Sequence, residues 1–151
     1  DRRGVVFVKE IVPKIAIAST ARALYNEPYV RYPMRHVAAP DRVQYEFRKD
    51  GLWQGLAGTR RGPPVPLPAG SLEEFLVEHY WGYTRQRDGG TIEYRVEHPR
   101  WRIWPALTSE LTLDAASLYG AEFAYLNGRA PDSAFLAEGS PVSVYRGVRI
   151  G

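Results

Sequence analysis

Residues 78–101 read EHYWGYTRQRDGGTIEYRVEHPRW and hold two of the chain's three histidines and two of its four tryptophans. On the C-terminal side of Asp88-Gly89-Gly90, Ile92, Tyr94, Val96 and His98 alternate with Thr91, Glu93, Arg95 and Glu97. That period of two places apolar residues on one face and charged residues on the other, as a half-buried strand requires. Asp-Gly-Gly is turn chemistry, so the run reads as a β-hairpin. A three-residue loop at 88–90 would set Arg85 opposite Glu93 and Arg87 opposite Thr91; a two-residue loop shifts the partners by one. The crowded aromatics and arginines match a base-stacking platform in composition alone. The outward glutamates would repel a phosphate backbone, so the hairpin is read as scaffold, with Tyr83 as its candidate cavity residue.

The neighbouring segments extend the same pattern. Just upstream, SLEEFLVEHY opens with Ser71 and Glu74 at capping-box spacing, and Leu72, Phe75, Leu76 and His79 share one helical face. Further back, Val43, Tyr45 and Phe47 alternate with Gln44, Glu46 and Arg48 before Asp50-Gly51, which predicts a second hairpin. The proline-rich GPPVPLPAG is a stiff connection, and Tyr29 to Ala39 is extended. Pro13, Ile17, Ala21, Leu24 and Tyr25 predict a helix of roughly three turns, stopped by Pro28, and Gly4 to Val12 reads as a strand. Downstream, 101–113 and 140–150 read as strands, while Asp114 opens a short helix broken near Gly120. The count is about six or seven strands and three short helices, most strands joined by short turns. The expected class is α+β on a mainly antiparallel sheet, with residues 1–151 as a single domain.

Composition narrows the function classes. A chain of 151 residues with 44% hydrophobic and 25% charged residues suits one folded domain. It has no cysteine, which excludes disulfides, thiolate catalysis and cysteine-ligated metals. No run approaches the roughly 20 apolar residues of a membrane span, and no signal-peptide pattern occurs, so no membrane association and a cytoplasmic location are expected. The net charge of +3 comes from scattered arginines rather than a basic block, which argues against nucleic acid as a partner. The three histidines are far apart in sequence and no facial triad is apparent, so no metal is expected. Phosphate-binding glycine loops and a Gly-x-Ser-x-Gly turn are also missing, and no cofactor is implied.

Lys9 and Glu10 stand out because they interrupt the apolar run GVVFVKEIV. Strand alternation sends them to opposite faces, so one charge is directed inward, at a cost unless it is paired or functional. A Lys9 with depressed pKa would supply an amine nucleophile, and Glu10 an acid/base. The bland alternative is that both snorkel to water or pair with an arginine.

At GVVFVKEIVP, ALYNEPYVRYPMRH, FLVEHYWGYTRQRDGGTIEYRVEHP and SPVSVYRG, the chain resembles the YqjF-like family, within the acetoacetate decarboxylase-like superfamily. The resemblance implies a barrel-like fold of which this chain is the C-terminal part, preceded by a further segment of sheet and helix. It also implies an edge or cavity that such a segment, or a second copy in a homodimer, would cover. The superfamily's decarboxylases form a Schiff base through a lysine in a Tyr-Pro-Lys-Lys-like segment. Here that segment reads Tyr32-Pro33-Met34-Arg35, and a thioether cannot form an imine. The resemblance places Tyr25, Tyr29, Met34, Arg35 and His36 near the superfamily's pocket, where arginine suits a carboxylate. The expectation is a domain binding a small organic molecule in an apolar, aromatic cavity. The alternatives are an enzyme acting on a carbonyl or carboxylate compound through Lys9 or Glu10, and a structural module whose cavity is filled by its own side chains.

Overall fold

The computed structural model describes residues 3–13, 28–106 and 108–151. Its strands are β1 (Glu10–Val12), β2 (Tyr29–Arg31), β3 (Met34–Ala38), β4 (Arg42–Lys49), β5 (Leu52–Thr59), β6 (Trp81–Arg85), β7 (Thr91–Glu97), β8 (Ile103–Pro105), β9 (Thr108–Thr112), β10 (Phe135–Ala137), β11 (Ser143–Val144) and β12 (Val148–Arg149). Helix α1 (Leu72–Val77) precedes β6, and α2 (Ala115–Tyr119) runs into a 3₁₀ turn over Ala121–Leu126. The helix expected from Pro13 lies outside the described residues. None of the described helices is long and apolar enough to cross a membrane.

Turn chemistry sets the first sheet. Asp50 and Gly51 both have positive φ, 51° and 82°, the conformation of a tight two-residue hairpin turn, and Lys49 pairs with Leu52 across it. The sheet continues in the order β3-β4-β5-β9, antiparallel throughout. In the second sheet β6 pairs with one edge of β7, and β11 and β12 both pair antiparallel with the other. Among the described residues the remaining strand pairs are β8–β10, antiparallel, and β1–β2, parallel. The fold is thus mostly antiparallel, and among the described residues no path of strand pairing closes on itself.

Three details depart from the sequence reading. The β6–β7 register pairs Arg85 with Thr91 and Tyr83 with Glu93, and Gln86 N–H donates to the Gly90 carbonyl at 2.7 Å. The loop is therefore Arg87-Asp88-Gly89, one residue earlier than expected. Its form follows from Asp88, whose side chain accepts from Gly90 N–H at 3.1 Å, and from Gly89, whose φ of 90° only glycine adopts easily. The strand expected over Gly4 to Val12 is split: Val5 bridges in parallel to Gly82, whereas Glu10–Val12 pairs with β2. A segment that joins two different sheets must bend between them, and Val6 and Val8 lie exposed there. Helix α1 also buries a different residue. Ser71 Oγ accepts from Glu74 N–H at 3.1 Å, as the capping box predicts, but the helix ends at Val77, so His79 lies beyond it. Val77 is buried, while Leu72, Phe75 and Leu76 are exposed and the Arg3 guanidinium lies over Phe75.

Val77 joins Leu67 and Ile103 in a core cluster against which Trp101 and Phe135 pack. A second buried region lies where α2 meets the β4–β5 turn. Leu118 and Ala115 are each 1% exposed, Gln54 Oε1 accepts from Asp114 N–H, and Lys49 Nζ donates to Ser117 Oγ. Asp114 caps α2 by accepting from Ser117 N–H at 3.0 Å, and Gly120, with φ of 128°, ends it as expected.

Candidate functional site

The register of β6 on β7 brings the two ends of the quoted stretch together, because Val96 N–H donates to the Tyr80 carbonyl at 2.9 Å. Glu78-His79-Tyr80-Trp81 and Glu97-His98-Pro99-Arg100-Trp101 consequently face one another at the open end of the hairpin. The His98 ring stacks on Trp101 at 3.9 Å between centroids and lies 4.9 Å from Tyr80. Trp101 is fixed by donating its Nε1–H to Ser140 Oγ at 2.9 Å. Tyr80 donates its hydroxyl to Glu78 Oε2 at 2.5 Å, and loss of solvent together with that carboxylate pushes the phenol up to about 12. The His98 Nδ1 lies 2.9 Å from the Pro99 carbonyl, a contact that suits the tautomer with its proton on Nδ1. Burial holds His79 below the ordinary histidine value, more strongly than its hydrogen bond to the Leu76 backbone raises it, and His98 and Arg3 act in the same direction as burial.

An open cavity of about 220 Å³ lies here, lined by the rings of Phe7, His79, Trp81, Tyr94, His98 and Trp101, by Gly82 and by aliphatic side chains. Gly82 is required for its shape. A Cβ at that position would lie 2.2 Å from Tyr94 Cζ, so the Tyr94 ring lies flat across the cross-strand glycine. Its volume exceeds the roughly 150 Å³ that holds benzene in a closed apolar interior, so a single ring has room here, although this cavity is open on one side. A second cavity of about 280 Å³ lies beside β5 and β9, with Leu56, Leu111, Ala134 and Leu136 in its wall. Leu76 lines both.

A family model matches residues 1–141, that of DUF2071, described as an uncharacterized conserved protein. The chain belongs to the DUF2071 family. No curated protein matches it.

The DUF2071 chain distributes the residues singled out from sequence over several places. Met34 and His36 share one face of the β3–β4 pair, where His36 stacks on Tyr45 at 5.9 Å, and Arg35 occupies the opposite face. Arg35 makes a two-pronged contact with Glu46 at 2.6 and 2.9 Å and lies over the Trp53 ring at 4.1 Å. The hydrogen bond raises the arginine and lowers the glutamate from their ordinary values. Lys9 Nζ donates to the Leu118 carbonyl in the last turn of α2, a favourable end of the helix for a cation. Glu10 and Tyr29 are brought side by side in the β1–β2 pair. Tyr83 donates its hydroxyl to Glu93 Oε2 at 2.9 Å. None of these residues lines either cavity, and Tyr25 lies outside the described residues.

His79, Tyr80, His98 and Trp101 were missed as a group. A signal for them was present: the Glu-His pairs at 78–79 and 97–98 are equally distant from Asp88, so any hairpin turning there brings them face to face.

Proposed function

We propose that this DUF2071 chain binds a small, mostly apolar organic molecule with one flat ring in the cavity between the two ends of the β6–β7 hairpin. The observation that carries the reading is an aromatic cavity of about 220 Å³ with two imidazoles at its wall. Offset stacking on Trp and His rings favours a planar guest, and a few polar groups in an apolar wall are the usual composition of a ligand site. Burial disfavours the cationic form of His79, so its imidazole is suited to hydrogen bonding a neutral hydroxyl or carbonyl rather than pairing with a carboxylate. The YqjF-like motifs and their order support membership of the acetoacetate decarboxylase-like superfamily, with the paired sheets as part of a barrel-like arrangement.

Two further readings are weaker on the same geometry. An enzyme using Lys9 as an imine-forming amine would have to detach Nζ from the Leu118 carbonyl, and Lys9 does not line either cavity. Borohydride trapping with a mixture of carbonyl compounds is expected to leave Lys9 unmodified, and an adduct at Lys9 would restore the enzyme reading. A purely structural module is disfavoured by the two cavities.

Calorimetric titration with benzyl alcohol tests the proposal. Saturable binding is expected for the native chain and not for Val142→Trp, which adds an indole to the wall of the same cavity. Equal binding by both, or none by the native chain, would reject it.

A further inference from the structure

Leu76 stands in the walls of both cavities, on the last turn of a six-residue helix. The next residue, Val77, is 7% exposed and held in the cluster with Leu67 and Ile103, whereas Leu76 is 44% exposed. Val77 is the one buried residue of the helix, and its neighbour Leu76 borders both cavities. A leucine that packing does not fix changes rotamer at little cost.

The two cavities differ in chemistry. The hairpin cavity is rich in rings, including those of His79, Trp81 and Trp101, while the second is mainly aliphatic, with Leu56, Leu111 and Leu136 beside the single ring of Phe135 and with Ser109 and Glu110 also in its wall. A planar group gains most from the first through ring contacts, and an alkyl chain gains from the second in proportion to the area it buries. We propose that the two cavities are halves of one site for an amphiphile with an aromatic head and an aliphatic tail, and that Leu76 determines the length of tail admitted. The proposal rests on the reading of the hairpin cavity as the ring site.

The test measures affinities of benzyl alcohol and of its 4-ethyl, 4-butyl and 4-hexyl derivatives for the native chain, Leu76→Ala and Leu76→Trp. Thermal melts establish that the variants fold, which an exposed position favours. Each methylene that finds apolar surface should improve affinity about fourfold. In the native chain the gain should level off where the tail meets Leu76; in Leu76→Ala it should continue to the longest tail, and in Leu76→Trp it should be lost from the shortest. Identical chain-length profiles in the native chain and Leu76→Ala, with benzyl alcohol still bound, would overturn the role of Leu76 and leave the ring site standing. Failure of benzyl alcohol to bind the native chain would overturn both.

Discussion

Substituting Gly82 by alanine tests whether the cavity has the shape described. Gly82 lies in β6 directly across from Tyr94 in β7, and its φ is not in the left-handed region, so the backbone alone would accept alanine. Removing a glycine from a strand would by itself gain about 0.5–1 kcal/mol. The added methyl, however, meets Tyr94 Cζ at 2.2 Å and its Cε2 and hydroxyl oxygen at 2.4 Å. Because Tyr94 is 8% exposed, its ring cannot swing outward without giving up burial, and overpacking of this kind costs about 1–3 kcal/mol. The net expectation is a loss of about 1–2 kcal/mol, read as a lower urea midpoint with unchanged slope. Trimming the ring should reverse the sign: in a Tyr94→Val background the same glycine substitution should be neutral or stabilising, and the cycle should show coupling of at least about 1 kcal/mol. A Gly82→Ala chain as stable as the native one, or additive effects across the cycle, would refute the flat-ring arrangement.

Other consequences follow from the same contacts. Ile103→Ala removes most of a side chain that is 2% exposed in the cluster with Leu67 and Val77, and should cost about 2–5 kcal/mol in denaturant unfolding. Asp114→Ala deletes the acceptor for Ser117 N–H and Asn127 Nδ2–H, and a loss of about 1 kcal/mol is expected in the same assay. His79 has a lowered folded-state pKa, so the unfolded chain protonates first as pH falls below about 6.5. Stability should therefore fall from that pH down to the folded-state value, and His79→Gln should flatten this part of a Tm-against-pH curve, above the range where carboxylates titrate.

Local chemistry made much of the fold legible. Asp50-Gly51, the Ser71–Glu74 capping pair, and Asp114 with Gly120 each determine geometry within a few residues, and each appears as the sequence implies. What escaped depended on pairings between distant segments. Residues 4–12 have strand composition throughout, but Val5 and Glu10–Val12 pair with different sheets, which propensity cannot reveal. The face of α1 was misjudged because a short helix packed by its end buries Val77 rather than the stripe a longer helix would bury. The expectations for Lys9 and Glu10 followed the cost of burying charge and that for Arg35 followed the resemblance, and the structure gives Lys9 the Leu118 carbonyl and Arg35 the Glu46 carboxylate as local partners. Alternation along β7 was read correctly, yet it described the strand itself and not the meeting of its far end with Glu78-His79-Tyr80-Trp81.

The four tryptophans allow the central claim to be tested directly. Trp81 and Trp101 line the hairpin cavity, whereas Trp53 lies under Arg35 and Trp104 donates its Nε1–H to the Gly62 carbonyl beneath Arg60. Titration of ¹⁵N-labelled protein with benzyl alcohol should move the indole resonances of Trp81 and Trp101 saturably and leave those of Trp53 and Trp104 in place. Unmoved resonances for Trp81 and Trp101, or shifts of all four in proportion to concentration without saturation, would contradict a ligand site at the two ends of EHYWGYTRQRDGGTIEYRVEHPRW.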